Sequence, residues 1–358
     1  MYDKLGVMCK VKLGIIEKDI ALILSKLKFD FKKLENQRIL ITGSSGHLGT
    51  YFTCLMLYIK KVHGINFSIS CTSSGLLPKI LMNQQSEFEF IKGDLTKIDF
   101  IANFQNYDSI IHLAGYAQPK IFLEDYERTI KINTRTTMQL LEKLIPGGNL
   151  LFISSSEIYT GIEKINPTEQ DCGSISSHHP RAPYVISKKL GEVICVNSKR
   201  YSDSRIVIAR LAMTFGPGIG ANDSRAVSQF FKQGVMSKRI TLLDKGLAKR
   251  RYLYVADAVT ALFNILFLGE NGIYNIGATL KNEISIYEIA KIIANQTESE
   301  LFISTDNENI LNARDSVSLS INKYEEKFGE IESINVQTGI IKTLEWIQSE
   351  NIFSVNID

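Results

Sequence analysis

A tyrosine and a lysine stand four residues apart in the segment Tyr184-Val-Ile-Ser-Lys188. On a helix this spacing puts both side chains on one face, so the ammonium group can stabilise the phenolate. A tyrosine hydroxyl has an ordinary pKa of about 10, and lowering that pKa makes its oxygen a useful general base. Such pairs also arise by chance on solvated helix faces. Further candidate site residues are therefore needed before this pair indicates catalysis.

A row of hydroxyl-bearing residues provides such further candidates. The apolar run Leu150 to Ser154 is followed by Ser155-Ser156-Glu157-Ile158-Tyr159. The run predicts a strand, and ligands of open α/β sheets bind outside the carboxyl ends of the strands. We therefore expect these hydroxyls to reach the same site as Tyr184.

Three glycines connect a predicted strand, Arg38 to Thr42, to a helical stretch that reaches Lys60. They lie in Gly43-Ser-Ser-Gly46-His-Leu-Gly49. Glycines at such a turn let the backbone approach a pyrophosphate, and the helix N-terminus then faces the negative charge. Glycine also occurs in any tight strand-to-helix turn. The strand before it and the helix after it favour dinucleotide binding.

The choice between NAD and NADP rests on the end of the second predicted strand. That region reads Ser70-Cys-Thr-Ser-Ser74 and lacks the Asp or Glu that usually holds the adenosine ribose. It also lacks an Arg or Lys for a 2′-phosphate, although Lys79 follows nearby. We expect NAD, with NADP not excluded. Asp94, after the third predicted strand, can bind adenine or cap the next helix.

Alternating strands and helices place these residues on one scaffold. The pattern predicts an α/β fold with a Rossmann-like doubly wound parallel sheet and a smaller, mixed C-terminal substrate-binding lobe. We expect a helical extension over residues 1–36, a cofactor domain over 37–215 and the lobe over 216–358, from which strands can return to the main sheet. The predicted strands are Arg38 to Thr42, Phe67 to Cys71, Phe88 to Ile91, Ser109 to Leu113, Leu150 to Ser154 and Ile206 to Ala209.

Composition excludes several classes of protein. The 358 residues carry 41 Lys+Arg and 38 Asp+Glu, a net charge of +3 that gives no basic surface for nucleic acid. The longest apolar run, Ile20 to Leu24, is far short of the ~18 residues that span a bilayer, so we expect no membrane partner and a cytoplasmic location. The five cysteines are widely spaced, and His178-His179 has no further ligand cluster nearby. We therefore predict neither a disulfide framework nor a metal site.

Together these segments resemble the extended short-chain dehydrogenase/reductase family that acts on nucleotide sugars. The resemblance covers roughly residues 37 to 350. It rests on Thr42 to Gly49, Gly93-Asp94, His112-Leu-Ala-Gly115, Asn133, Ser155 to Tyr159, Tyr184 with Lys188, Arg210 with Phe215-Gly-Pro217, and Arg250 to Asp257.

The resemblance implies specific roles. Tyr184 would be the base, Lys188 its partner and Ser155 the catalytic hydroxyl, and family members pair as homodimers through the helices that bear Asn133 and Tyr184. The implied cofactor-binding residues are Gly43, Ser45, Gly46, His47, Leu48, Gly49, Asp94, Leu95, Leu113, Ala114, Gly115, Asn133, Tyr184 and Lys188.

Within the family the chain is most similar to the UDP-glucuronate decarboxylases, in Ser155 to Tyr159, Pro180-Arg-Ala182 and Asn222 to Phe230. This implies a UDP-linked substrate that is oxidised at C4 and loses carbon dioxide, with Glu157 as a catalytic residue. The implied substrate-binding residues are Ser156, Arg181, Arg225, Arg250 and Arg314.

Some residues depart from the family pattern and keep other functions open. Met213 stands where Asn is common, Thr160 replaces a glycine, and Ser156 replaces the Asp of many dehydratases. The alternatives are a nucleotide-sugar 4-epimerase, 4,6-dehydratase or 4-dehydrogenase. A non-catalytic NAD(P)-binding sensor or scaffold is an alternative of another class.

Overall fold

A computed structural model describes residues 13–200, 202–304 and 316–353 of the chain. Its α-helices are α1 (Ile15–Lys26), α2 (His47–His63), α3 (Lys79–Met82), α4 (Ile98–Ala102), α5 (Pro119–Glu124), α6 (Tyr126–Asn133), α7 (Arg135–Glu142), α8 (Ala182–Val196), α9 (Ala226–Met236), α10 (Val255–Leu268), α11 (Ile286–Thr297), α12 (Asn322–Phe328) and α13 (Val336–Ser349). Among the helices of these ranges, none is long and apolar enough to cross a membrane.

The strands are β1 (Arg38–Thr42), β2 (Ser68–Ser73), β3 (Glu89–Lys92), β4 (Tyr107–His112), β5 (Leu144–Ser155), β6 (Arg205–Leu211), β7 (Thr214–Phe215), β8 (Arg239–Leu242), β9 (Lys249–Arg251), β10 (Leu253–Tyr254), β11 (Gly272–Ile276), β12 (Glu283–Ser285), β13 (Glu300–Ile303) and β14 (Ser316–Val317). The central sheet has seven strands in the order β11-β6-β5-β4-β1-β2-β3. All neighbours in it are parallel.

This strand order confirms the predicted Rossmann-like sheet. Chain order reverses between β1 and β4, and a doubly wound sheet opens a ligand crevice at that point, beyond the carboxyl ends of the strands. The buried residues of β1, β4, β5 and β6 include the aliphatic runs 39–41, 110–111, 150–151 and 206–209. Strands covered by helices on both faces need such continuous apolar runs.

One strand is much longer than the sequence predicts. The run expected to begin at Leu150 starts at Leu144, because Pro146, Gly147 and Gly148 are included in the strand. Gly147 has φ +77°, and the register to β4 shifts between Tyr107 and Ser109. The irregular backbone lets a turn-like sequence remain paired with its neighbour.

The C-terminal part of the chain adds one strand to the central sheet and forms several short sheets of its own. β11 pairs with β6 at the edge of the central sheet, and α10 packs on β5 and β6. The remaining short sheets are β10-β7, β12-β9-β14 and β13-β8. α9 and α11 pack against each other and against β8.

Candidate active site

The crevice begins where β1 and β4 diverge. Thr42 Oγ1 lies 2.8 Å from His112 Nδ1 and accepts from the Ala114 amide at 3.2 Å. Gly43 has φ +70°, and a Cβ there would stand 2.7 Å from the Ala114 Cα. Glycine is therefore required at 43 because the two strand ends pass in contact.

The other two glycines shape the start of α2. A Cβ on Gly49 would come 2.0 Å from the Gly43 carbonyl oxygen, whereas one on Gly46 would meet a single atom, that same oxygen, at 3.2 Å. Gly46 is the N-cap and has no side chain to cap the helix, which leaves the first N–H groups of α2 to an anion. The turn thus fits a pyrophosphate, with Ser45, His47 and Leu48 beside it.

Hydroxyl groups occupy the place of the missing carboxylate. Ser73 Oγ, at the end of β2, lies 2.5 Å from Ser45 Oγ and accepts from the Gly75 amide at 3.1 Å. The second strand therefore reaches the glycine turn through a serine pair. Neutral hydroxyls can bind a ribose by hydrogen bonding.

The side chains of Asp94 and Leu95 contact other residues of the protein. The Asp94 carboxylate accepts from the Thr96 amide and hydroxyl at 2.9 and 2.7 Å and pairs with Arg128 at 3.2 Å. These partners lower its pKa against the opposing effect of burial. The contacts to Thr96 form a local turn, and the N-cap of the next helix, α4, is Lys97, so Asp94 does not cap that helix and its contact with adenine stays a prediction. Leu95 is buried in the core, and its expected cofactor contact stays a prediction.

Tyr184 and Lys188 lie on the buried face of α8. The Lys188 ammonium donates to the Ile153 carbonyl at 2.7 Å, and a Cβ on Gly115 would lie 3.4 Å from it. Burial lowers the pKa of Lys188 to about 7, partly opposed by Glu192. Lys188 therefore joins β5 and the loop after β4, with Leu113 and Ala114 nearby in that loop.

Burial and several nearby polar groups act on the pKa of the Tyr184 hydroxyl. Burial raises its pKa to about 12, while a hydrogen bond from Ser155 and the charges of Arg225 and Arg181 lower it. The Glu157 carboxylate opposes the two arginines and raises the pKa of Tyr184. The ring stacks on Phe122 of α5, with centroids 4.6 Å apart and planes at 12°.

Asn133 supports α8 from behind. Its amide donates to Ser187 Oγ at 2.9 Å, and that hydroxyl donates to the Tyr184 carbonyl at 3.0 Å. Asn133 is fully buried and braces α8 through these bonds, and its expected cofactor contact stays a prediction. Its Oδ1 has no hydrogen-bond partner among the described residues.

Ser155 and Glu157 stand at the end of β5. Ser155 Oγ accepts from the Glu157 amide at 3.2 Å. Arg181 donates to both oxygens of Glu157 at 2.7 and 2.8 Å, and each side chain is 32% exposed. This ion pair places a carboxylate and a guanidinium in the cleft together. It holds the Glu157 carboxylate beside Ser155 and Tyr184.

The remaining predicted substrate residues divide into three groups. Arg225 is held by Asp223 through Nε and Nη2, the latter at 2.6 Å, and its charge acts on Tyr184. Ser156 and Arg250 are buried, with Arg250 Nη1 donating to the Lys249 carbonyl at 2.7 Å. Arg314 lies outside the described residues.

A buried ion pair behind the site was not predicted. Glu192 and Arg210 meet at 2.8 Å with both side chains under 8% exposed. Ser154 donates to Glu192 at 2.5 Å and Arg210 donates to Tyr159 at 2.8 Å. The available signal was spacing, because Glu192 continues the helix face of Tyr184 and Lys188 by one more turn.

Comparison with known proteins identifies the family. Residues 39–277 match the NAD dependent epimerase/dehydratase family. The chain belongs to this family. The matched region contains the glycine turn, Ser155, Glu157, Tyr184 and Lys188 together. It leaves out α1 and the elements after β11.

Several family members are similar over most of this chain. UDP-glucuronic acid decarboxylase 6 of Arabidopsis thaliana is 30% identical over 72% of this chain and 74% of its own length. UDP-glucuronic acid decarboxylase 1 of Xenopus tropicalis is 29% identical over 72% of this chain. The match spans only 60% of that vertebrate protein's length.

A solved structure shares the fold. The dTDP-glucose 4,6-dehydratase DesIV of Streptomyces venezuelae, with NAD and TYD bound, superimposes with a TM-score of 0.74 at 19% identity, over 87% of this chain and 97% of that one. Family membership and fold therefore agree.

Proposed function

We propose that the chain is an NAD-dependent nucleotide-sugar enzyme that decarboxylates UDP-glucuronate. The observation that carries the proposal is the placement of Ser155, Tyr184 and an arginine-paired Glu157 around one cleft. The similarity to UDP-glucuronic acid decarboxylases supports it. A sensor that has lost catalysis would have no need to keep this set.

The glycine turn fits the cofactor. The uncapped start of α2 and the open side of Gly46 would hold the pyrophosphate, and Lys188 would hold the ribose on the nicotinamide side. The serines at 45 and 73 would meet the adenosine ribose, and we propose NAD because no cation stands in the β2 end to pair with a 2′-phosphate. When bound, NAD⁺ supplies the acceptor for the hydride at C4.

The protein's own groups manage the proton and the carboxylate. Tyr184 would take the proton of the C4 hydroxyl, and Ser155 would donate a hydrogen bond to that oxygen. The resulting C4 ketone is β to the C6 carboxylate, so the C5–C6 bond can break with release of carbon dioxide. The electron pair then rests on the C4 oxygen as an enolate, and hydrogen bonding from Ser155 stabilises that charge.

The cations of the site suit an acidic sugar. A uronate needs positive charge near C6. The charges of Arg181 and Arg225 act on Tyr184, and those of Arg225 and Arg250 act on Tyr252. Loss of carbon dioxide needs no acid at a departing C6 hydroxyl, which is consistent with Ser156 in place of Asp. Arg181 neutralises Glu157, so that carboxylate can remain beside an anionic substrate.

The test is the product formed from UDP-glucuronate and NAD⁺. We expect carbon dioxide in amounts equal to the substrate consumed, and we expect Glu157→Gln to slow its release about 100-fold with a smaller change in substrate binding. Glu163→Gln, at an exposed neighbouring position, is the matched control. Release can be followed with substrate labelled at C6.

A different result would identify one of the alternatives. If a panel of uronates yields no carbon dioxide while a neutral sugar nucleotide reduces the cofactor, decarboxylation is wrong. The product then separates a 4-epimerase, a 4,6-dehydratase and a 4-dehydrogenase. No turnover with any sugar nucleotide would favour the sensor.

We further propose that the enzyme is a homodimer. α8 exposes Ile186, Leu190 and Val193, which recur at helical spacing on one face. The neighbouring α6 exposes Tyr126 and Ile130. A second copy would cover this apolar face, and the cytoplasmic location expected from the sequence stays a prediction.

A further inference from the structure

The segment 216–225, here called the strap, passes from the end of β7 to the start of α9. Gly216 has φ +141° and Gly218 has φ +89°, both in the region that favours glycine. A Cβ on Gly216 would lie 2.5 Å from Val255 Cγ1. The backbone course of the strap is thus set by close contacts along its first residues.

His47 holds the strap to the cofactor turn. Its Nε2 lies 2.9 Å from the Pro217 carbonyl oxygen. Because a carbonyl only accepts, the ring must carry its proton on Nε2. A Cβ on Gly218 would stand 3.4 Å from His47 Cδ2, so the ring lies against the strap itself. Burial lowers the pKa of His47 to about 3, so the ring is neutral at pH 7 and carries a single proton.

The far end of the strap is held on two further sides. The Ser224 amide and hydroxyl donate to Gln118 Oε1 at 3.1 and 3.3 Å, which ties the strap to the loop after β4. The buried Asp223 carboxylate accepts from Nε and Nη2 of Arg225. Arg225 Nη1 donates to the Thr214 carbonyl at 3.3 Å. The guanidinium is therefore fixed relative to the strap backbone.

We propose that His47 is a positioning residue that acts through the strap on Arg225, so that one side chain of the cofactor turn sets a cation for the nucleotide sugar. The inference rests on the proposed function, since Arg225 is assigned to the substrate. The charge of Arg225 reaches both His47 and Tyr184, which places it between the turn and the reacting end.

Hydrogen exchange tests the link without any substrate. In His47→Leu the Pro217 carbonyl loses its donor, and we expect the amides of residues 216 and 218–225 to exchange faster by about tenfold in the ligand-free enzyme. His47→Gln keeps an amide donor and should restore slow exchange. His63→Leu, at the other end of the same helix and exposed, is the matched control. Unchanged exchange in a folded His47→Leu protein would overturn the proposal.

Gln118 provides a second approach that leaves the cofactor turn intact. Gln118→Leu removes the acceptor of Ser224, while Gln118→Glu retains it. We expect faster exchange of the strap in the first variant and not in the second. If the strap stays equally protected after both His47→Leu and Gln118→Leu, the contacts do not hold it and the proposal fails.

UDP binding tests the consequence for the substrate. With saturating NAD⁺, His47→Leu should weaken UDP binding about tenfold by calorimetry, and His47→Gln should weaken it much less. Arg225→Met should weaken it at least as much, and the double variant no more than Arg225→Met alone, because both changes act on one contact. If the losses of UDP affinity in the two single variants add in the double variant, His47 does not act through Arg225. Faster exchange without any UDP binding by the wild type would reject the UDP substrate and Arg225's assigned role, while the strap contact itself would stand.

Discussion

Lys188 carries a positive charge into a position that is only 5% exposed. Burial shifts its pKa from 10.5 to about 7. Below pH 7 the folded protein must hold a buried ammonium, and between about pH 7 and 10.5 the unfolded chain binds more protons than the folded one. The free energy of unfolding contributed by this group therefore rises with pH over that interval.

Replacing this lysine should stabilise the fold at the expense of catalysis. We expect Lys188→Met to raise the free energy of unfolding of the ligand-free enzyme at pH 6 by at least about 1 kcal/mol, since a buried charge is removed. The gain should shrink as pH rises towards 10. Thermal unfolding at pH 6 and 9.5 measures it, with the exposed Lys199→Met as the control. A destabilised variant at pH 6 would contradict the burial cost.

Removal of the Tyr184 hydroxyl should abolish hydride transfer. In Tyr184→Phe the ring still stacks on Phe122, whereas the oxygen that accepts the proton is lost. We expect turnover to fall by about 10³-fold and NAD⁺ affinity to change little. Stopped-flow absorbance of the reduced cofactor measures the first and calorimetry the second. Near-normal turnover at saturating substrate would assign the base to another group.

Residue types allowed part of this site to be foreseen. Tyr184 and Lys188 follow from side-chain chemistry and from their spacing on a predicted helix, whereas the resemblance to the family is what selects Ser155 from its neighbouring hydroxyls. The pairing of Arg181 with Glu157 could not be foreseen, because the loop between them has no periodic pattern that fixes its path. The same limit applies to the strap, whose contacts join segments far apart in the chain.

At the scale of elements, α1 is the clearest addition to the family's matched region. The spacing of its apolar residues predicts the helix, and the structure places it over Ile15–Lys26. The unexpected feature is Asp19, fully buried on the packed face. It accepts from Tyr51 at 2.9 Å, from Tyr254 at 2.6 Å and from Lys342. One carboxylate thus joins α1 to α2, β10 and α13.

Loss of this carboxylate should destabilise the whole chain. Asp19→Ala leaves two buried phenols and the partly exposed Lys342 ammonium without their acceptor, and we expect a loss of about 2 to 5 kcal/mol in the free energy of unfolding. Lys18→Ala, exposed on the same helix, should change it by less than about 0.5 kcal/mol. Urea unfolding compares the two. Equal stability of both variants would mean that α1 is not integral to the fold.

At the scale of the whole molecule, the alternation of strands and helices was sufficient to predict the sheet. Because the strand order reverses between β1 and β4, the glycine turn and the ends of β4 and β5 lie at one crevice. The return of β11 to this sheet depends on long-range pairing with β6, for which a five-residue strand carries little local signal.

The exposed face of α8 gives the molecular prediction. In an isologous dimer the same patch meets itself, so a charge placed there faces its own copy across the two-fold axis. We expect Leu190→Glu to convert a dimer to a monomer at micromolar concentration, measured by light scattering, because the carboxylate would be desolvated beside a like charge. Leu247→Glu, at a leucine that is 73% exposed on the lobe, should leave the dimer intact. A monomeric wild type would contradict the dimer, and a dimer that tolerates Leu190→Glu would place the subunit contact elsewhere. In either case the exposed apolar residues of α6 and α8 would need another partner.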